Sequence, residues 1–212
     1  FRRVLFRSSG PRVLAADGSV QRALMQAALT YAKDLGVSSL HVLFPPESEA
    51  NEWKDAGLML RQGVQFHWEN LGYRDFDAML TAMAHDKRKR IKQDRRYVAE
   101  AGVSWRVARG AAISESDWSF FYRCYDATYR AHMSSPYLSL EFFQRLGAEC
   151  DDAVTLFIGD VNGEPLCASL CIASGDTVYG RYWGTLAPLK SLHFEACYYQ
   201  PIEWCIANAF QR

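Results

Sequence analysis

Three apolar segments joined by two tight turns constrain the fold of this chain more than any other feature. The segments at 153–160, 165–173 and 177–184 are predicted to be strands. Asn162-Gly163 and Gly175-Asp176 separate them, and these dipeptides tolerate the positive φ that a two-residue hairpin requires. The pattern therefore predicts a three-stranded antiparallel meander.

Helical periodicity precedes and follows the meander. Helices are predicted over 18–35, 47–56, 73–101, 114–132, 139–149 and 192–210. Further strands are predicted over 39–44, 58–69 and 103–108. The fold class is α/β (α+β), with a mixed or antiparallel sheet flanked by helices. The order helix, helix, three-stranded meander, helix matches the front of the GNAT acyltransferase fold.

Ionisable and aromatic side chains gather where the last strand leads into the last helix, as in a ligand cleft. Tyr179, Arg181 and Trp183 recur at period two, so they are predicted to share one face of the strand. Arginine beside aromatic rings suits a phosphate or carboxylate held against a stacking surface. The alternative is an arginine that extends from a sheet edge into solvent.

Glu195 and His193, in the first turns of the helix, are the candidates for proton transfer. Partial burial beside apolar neighbours would raise the pKa of Glu195 toward neutrality, as a general base requires. The alternative is an ordinary first-turn carboxylate that the helix dipole favours. His193 is an alternative base or a donor to an oxyanion, or a structural histidine. Tyr199 is a candidate binding residue, and either Tyr198 or Tyr199 is expected in the core.

A basic run occupies residues 86–96, and its candidate phosphate- or tRNA-binding residues are Arg88, Lys89, Lys92 and Arg95. The alternative is a solvated helix face. Gln65 and His67 are candidates to line a cleft between two domains, with a polar edge strand as the alternative. Tyr137, after a proline, could gate the same cleft or pack in the core.

Composition excludes several classes of protein. The 212 residues carry 24 basic and 24 acidic side chains, so the chain as a whole is not a polyanion binder. No apolar run approaches the roughly 20 residues that span a bilayer. The six cysteines lack metal-site spacing, which predicts buried free thiols in a reducing cytoplasm. No metal and no tightly bound cofactor are predicted.

Several unusual sequence segments carry a family resemblance. They are RQGVQFHWEN (61–70), GYRDFD followed by KRKRIKQDRR, PYLSLEFF (136–143), and YGRYWG with LHFEACYYQPIEWCI. Over about residues 16–212 the chain resembles the bacterial FemAB-like predicted N-acyltransferases, a peptidoglycan biosynthesis or recognition family of the GNAT superfamily. The resemblance implies transfer of an acyl or aminoacyl group to an amine, with a cell-wall precursor as a possible acceptor.

The resemblance also implies a domain organisation. Residues 11–70 are expected to be the C-terminal part of a first GNAT-like subdomain, and 71–212 a second one that lacks its closing strands. Residues 1–10 are expected to be non-native, because RRVLFRS reads as a translated sequencing adapter. Both ends are therefore expected to be truncated.

The connector before the last helix bears on the acyl donor. Most acetyl-CoA-dependent members of the superfamily have a glycine-rich loop there, whose amides bind pyrophosphate. Here the connector is GTLAPLKSLHFE, with Pro188 and no second glycine. The donor is left as aminoacyl-tRNA or acyl-CoA. The rival functions are a non-catalytic binding module for a cell-wall precursor and a nucleic-acid-binding protein built on the basic helix.

Overall fold

A four-stranded antiparallel sheet, ordered β1-β2-β3-β4, organises the C-terminal part of the computed structural model. The strands are β1 (Val103–Arg109), β2 (Val154–Val161), β3 (Glu164–Ser174) and β4 (Thr177–Thr185). Asn162 and Gly163 have φ of 52° and 82°, the conformation that the predicted hairpin requires. The three-stranded meander is confirmed. The strand predicted over 103–108 is β1, which pairs with β2 and forms one edge of the sheet.

The structure describes residues 9–64 and 66–212. The expected adapter-derived segment lies mostly outside these ranges, and so does Gln65, one of the candidate binding residues. The chain divides into two compact units, Phe1–Gln65 and Phe66–Arg212.

In the first unit, the described residues form two helices, α1 (Gly18–Asp34) and α2 (Glu47–Asp55). The Asp17 carboxylate caps α1 by accepting from the backbone N–H groups of Ser19 and Val20. The strands predicted over 39–44 and 58–69 were wrong, since no ladder forms there among the described residues. An apolar segment becomes a strand only where a partner strand accepts its backbone hydrogen bonds, which local sequence does not reveal.

Helices cover both faces of the sheet in the second unit. They are α3 (Phe76–Ala82), α4 (His85–Glu100), α5 (Glu115–Ala131), α6 (Leu140–Glu149), α7 (Leu192–Phe194) and α8 (Gln200–Ala207), with a π-helical turn, Glu195–Tyr199, joining the last two. Short 3₁₀ helices occupy Gly110–Ala112 and Asp151–Ala153. None of these described helices has both the length and the apolar character needed to cross a bilayer.

The helix predicted over 73–101 is two helices. Met83 and Ala84 between them have extended backbone, with ψ of 156° and 144°. Met83 thereby packs against the cluster formed by Phe76, Leu80 and Tyr199. The break in the helical hydrogen bonds is therefore accompanied by partial burial of the Met83 side chain.

The main core lies on the face of the sheet that α5 and α6 cover. Phe121 and Tyr125 of α5 pack there with Phe143 of α6 and with Leu156 and Leu170 of the sheet. Ser114 and Asp117 form a reciprocal capping box at the start of α5, as the sequence predicts. On the other face, Val98 of α4 packs with Cys167, Leu192 and Ala196. This second layer carries the candidate site.

Candidate functional site

A β-bulge in β4 divides the predicted ligand-binding strand between the two faces of the sheet. Tyr179 pairs with Ile172 and Tyr182 with Leu170, so Arg181 is an extra residue in β4. Tyr179 therefore shares a face with Tyr182, and Trp183 lies on the opposite face. The prediction that Tyr179, Arg181 and Trp183 share one face was wrong, because the bulge interrupts the alternation.

Tyr137 belongs to the α5 side. Its hydroxyl shares a 2.6 Å hydrogen bond with the Tyr182 hydroxyl, and its ring packs 5.8 Å from that of Tyr129. The Arg181 guanidinium lies 5.8 Å from the centre of the Tyr182 ring. These side chains form a cluster on one face, whereas His193 and Glu195 lie on the other.

His193 lies among aromatic side chains at the start of α7. Its ring centre is 4.7 Å from that of Trp183, 5.6 Å from Phe194 and 5.8 Å from Tyr198. The side chain is exposed at the surface, but partial desolvation by its neighbours lowers the pKa of His193 below its usual 6.5, which favours the neutral imidazole at pH 7. The histidine lines an open groove of about 610 Å³, here called the His193 groove, with Arg90 and Lys190 in its wall.

Glu195 is buried, and one of its oxygens is held by two donors. Arg95 Nε donates to Oε1 over 3.1 Å and Gln200 Nε2 donates to the same atom over 2.7 Å. The second oxygen, Oε2, is buried and has no hydrogen-bond partner among the described residues. Arg95 also donates to Glu203 Oε2 over 2.6 Å. The carboxylate is thus fixed in place with one oxygen available as an acceptor.

Burial raises the pKa of Glu195 above 4.5, while the Gln200 hydrogen bond and the Arg95 charge oppose the rise. Glu195 lines a second groove of about 280 Å³, the Glu195 groove, together with Lys92, Arg95 and Arg96. His193 and Glu195 therefore line different grooves, although only one residue separates them in the chain.

The π-helical turn at Glu195 has a cause in the sequence. The Gln200 N–H donates to the Glu195 carbonyl, five residues back, and Pro201 has no N–H to continue the pattern to Ala196. Ser169 Oγ of β3 donates to the Ala196 carbonyl instead, over 2.6 Å. Proline and serine together fix the wide turn, and the turn sets the direction of the Glu195 side chain.

Asp94 of α4 accepts hydrogen bonds both from the connector that precedes α7 and from the π-helical turn that follows it. Ser191 Oγ donates to Asp94 Oδ1 over 2.7 Å, and the Tyr199 hydroxyl donates to Oδ2 over 3.2 Å. Ser191 has φ of 64°, a left-handed conformation that costs about 1–3 kcal/mol outside glycine. Burial and the nearby Asp94 raise the pKa of Tyr199, so the phenol stays a donor at neutral pH. Tyr199 is the buried member of its tyrosine pair, and Tyr198 is exposed.

The four basic candidates of α4 separate into different environments. Lys92 and Arg95 line the Glu195 groove, and Arg95 forms ion pairs with two carboxylates. Arg88 donates from Nη1 to the Thr81 carbonyl over 3.3 Å. Lys89 is exposed to solvent, as is His67 of the preceding segment. The structure does not place His67 in the lining of either groove.

Sequence reasoning missed Asp94, Gln200, Ser191 and Ser169 as members of the site. No local signal singles these residues out, because the adjacent opposite charges of Asp94-Arg95 recur in the same helix at Asp86-Lys87. Asp94 reaches the connector and Arg95 reaches Glu195, 97 and 100 residues away in the chain.

The cysteines take no part in either groove lining. Burial raises the pKa of Cys167 and of Cys171 to about 12, so these thiols are not thiolate nucleophiles at neutral pH. All six are free; Cys150 is exposed, contrary to the expectation of burial throughout. Among the described residues, no group of three histidine, cysteine or acidic side chains is arranged to hold a metal ion.

Comparison with known proteins identifies a family and finds solved structures that resemble the chain. A FemAB-like family model, described as peptidoglycan biosynthesis/recognition, matches residues 6–212. No curated protein matches the chain. The crystal structure of the C-terminal domain (DUF2156) of a protein provisionally named lysylphosphatidylglycerol synthetase, from Agrobacterium fabrum, is similar at 13% identity and a TM-score of 0.49. That match covers 92% of this chain, which spans 59% of the other.

Proposed function

Because the chain belongs to the FemAB-like family, described as peptidoglycan biosynthesis/recognition, we propose that it is an N-acyltransferase that acts on an amine acceptor. The observation that carries the proposal is the Glu195 carboxylate. It is 2% exposed, anchored at Oε1 by Arg95 and Gln200, and without a donor at Oε2. A general base needs this combination of fixed position, raised pKa and free acceptor oxygen.

The proposed reaction is direct transfer. The acceptor nitrogen attacks the acyl carbon and forms the new C–N bond, while the bond from that carbon to the oxygen or sulfur of the donor breaks. Glu195 takes the proton that the nitrogen loses, and this proton then neutralises the leaving group. Glu195 Oε2 is covered in this state; catalytic contacts commonly form only once substrate is bound.

The His193 groove is the proposed donor site. Arg90 and Lys190 supply positive charge for phosphates, and Trp183, His193 and Phe194 supply rings on which a base can stack. Because the connector lacks the glycines of a pyrophosphate-binding loop, aminoacyl-tRNA is the favoured donor over acyl-CoA. Neutral His193 can donate one hydrogen bond to the oxyanion that forms on the acyl carbon.

The fold and cellular setting belong to the same proposal. Two helices, an antiparallel meander and a last helix support a GNAT-type fold for residues 66–212. An N-terminal GNAT-like half remains a prediction, as does the division at residue 70. The family description supports a cell-wall precursor as acceptor, and free thiols support a cytoplasmic setting.

A transfer assay with matched donors tests this function. Radiolabelled aminoacyl-tRNA and acyl-CoA are incubated with the protein and with amine acceptors, and acylated amines are detected by mass spectrometry. We expect Glu195→Gln to abolish transfer while donor binding persists. Transfer at the wild-type rate by this variant would rule out Glu195 as the base.

A non-catalytic binding module is the second candidate, and the Arg95–Glu195 ion pair favours it. A carboxylate paired this way can serve structure alone. Such a module would bind a cell-wall precursor without turnover in any donor assay.

The basic α4 would suit nucleic-acid binding. That function predicts an affinity for tRNA that falls steeply with salt and with loss of Arg88, Lys89 or Lys92.

A further inference from the structure

The Glu195 groove combines one buried carboxylate with an excess of positive charge. Glu195 is the acid in its lining, and Lys92, Arg95 and Arg96 are the bases. Arg95 is neutralised by Glu195 and Glu203. Lys92 and Arg96 are exposed and belong to none of the ion pairs found among residues 9–64 and 66–212.

We propose that the Glu195 groove selects an acceptor that carries an anionic group, a carboxylate or a phosphate, close to its amine. This inference rests on the proposed function and names its acceptor class. Glu195 Oε2 can only accept a hydrogen bond when ionised, so its missing partner is a donor such as an amine. Burying an acceptor without a donor is costly, which favours a ligand that supplies one.

A simple amine does not suit the rest of the groove. Lys92 and Arg96 repel a lone ammonium group, and two unpaired cations favour an anion beside them. A ligand with both charges places its amine at Glu195 and its anion at Lys92 and Arg96.

The size of the groove limits what it surrounds. About 280 Å³ is less than the roughly 300–1,000 Å³ of a typical small-molecule pocket. That space holds an amino-acid-sized group rather than a whole polymer. Val98 and Trp105 in the lining offer apolar contact to the carbon atoms between the two charges. The groove therefore fits the reacting end of an acceptor, with the remainder outside.

Binding of small probes tests the proposal without any turnover. The ¹⁵N-labelled protein is titrated with alanine, 2-aminoethyl phosphate, ethylamine and propionate, and shifts of the Trp105 indole N–H and Arg95 Nε–H signals are followed. We expect alanine or 2-aminoethyl phosphate to bind at least tenfold more tightly than ethylamine and propionate. The tighter of the first two identifies the anion as carboxylate or phosphate.

Variants assign the two charges to their residues. We expect Glu195→Gln to lower the affinity for the amine-containing probes at least tenfold. The double variant Lys92→Met, Arg96→Met should lower the affinity for the tightest-binding probe to that for ethylamine. Arg123→Met, which removes a cation from α5 on the other face of the sheet, is the control and should change nothing. Equal binding of ethylamine and alanine, or no shift with any probe, would overturn the proposal.

The outcomes separate this inference from the proposed function. Selective binding that depends on Glu195, in a protein that transfers no acyl group, supports the groove assignment and rejects the enzyme. Transfer to amines with and without an anionic group at the same kcat/KM supports the enzyme and rejects the groove assignment.

Discussion

Ser169 Oγ on β3 donates a 2.6 Å hydrogen bond to the Ala196 carbonyl, inside the π-helical turn that carries Glu195. Both residues are buried, so water does not replace this bond. Ser169→Ala should cost about 1–3 kcal/mol, the usual penalty for a buried polar group left without a partner. Chemical denaturation measures the change.

The same contact predicts coupling with Pro201. Pro201→Ala supplies the backbone N–H that the Ala196 carbonyl lacks, so Ser169→Ala should cost less in that background. We expect an interaction energy of about 1 kcal/mol in a double-mutant cycle. If the free-energy changes of the two substitutions are simply additive, then Pro201 is not the reason that the Ala196 carbonyl needs the Ser169 donor.

Gly184 sets the approach of α5 to β4. A Cβ at this position would overlap the Cys124 carbonyl oxygen and lie 2.7 Å from Thr128 Oγ1. Because backbone cannot yield as a side chain does, Gly184→Ala should cost about 3 kcal/mol, the upper end of the usual range for overpacking. Gly180→Ala in the same strand is the control, since a Cβ there meets nothing within 4 Å. Similar melting temperatures for the two variants would contradict the packing argument.

The pH dependence of transfer reports on Glu195. The base must be ionised, and burial raises its pKa, so the rate should rise with pH through a midpoint above 4.5. Arg95 opposes that rise, so Arg95→Met should move the midpoint to still higher pH. Arg123→Met is the charge-matched control for the kcat/KM profile. A midpoint that Arg95→Met leaves unchanged would exclude Glu195 as the titrating group.

His193 should titrate below its usual pKa of 6.5, because the aromatic rings around this exposed side chain partly desolvate it and disfavour the imidazolium. Folding then loses stability as the pH falls from about 6.5 through the folded-state pKa. Trp183→Ala should move the pKa back toward 6.5, while Tyr182→Phe on the other face should not. NMR titration of the imidazole protons measures both, and equal pKa values in the wild type and Trp183→Ala would refute the assigned cause.

The meander could be predicted because its signals are local. Asn162-Gly163 tolerates the backbone conformation of a tight turn whatever surrounds it. The bulge at Arg181 could not be predicted from the sequence, because it arises from the pairing of β4 with β3. Strict alternation therefore assigned Tyr179 to the wrong face.

The candidate site was only half visible in the sequence for a similar reason. Glu195 and His193 stand out by residue type at a strand-to-helix junction. The partner of Glu195 on α4 is distant in the chain, and nothing local distinguishes Arg95, which pairs with Glu195, from Lys92, which does not. Ion pairing between remote elements is decided by packing, so the basic run alone suggested a uniform phosphate-binding helix.

Neighbouring positions on α4 give the two grooves a common wall: Asp94 lines the His193 groove and Arg95 lines the Glu195 groove. Adjacent residues of a helix point about 100° apart, so α4 presents a different side to each groove. If a ligand in one groove displaces α4, thermodynamic linkage makes the change in affinity equal in both directions. One helix thus lies between the proposed donor site and the proposed acceptor site.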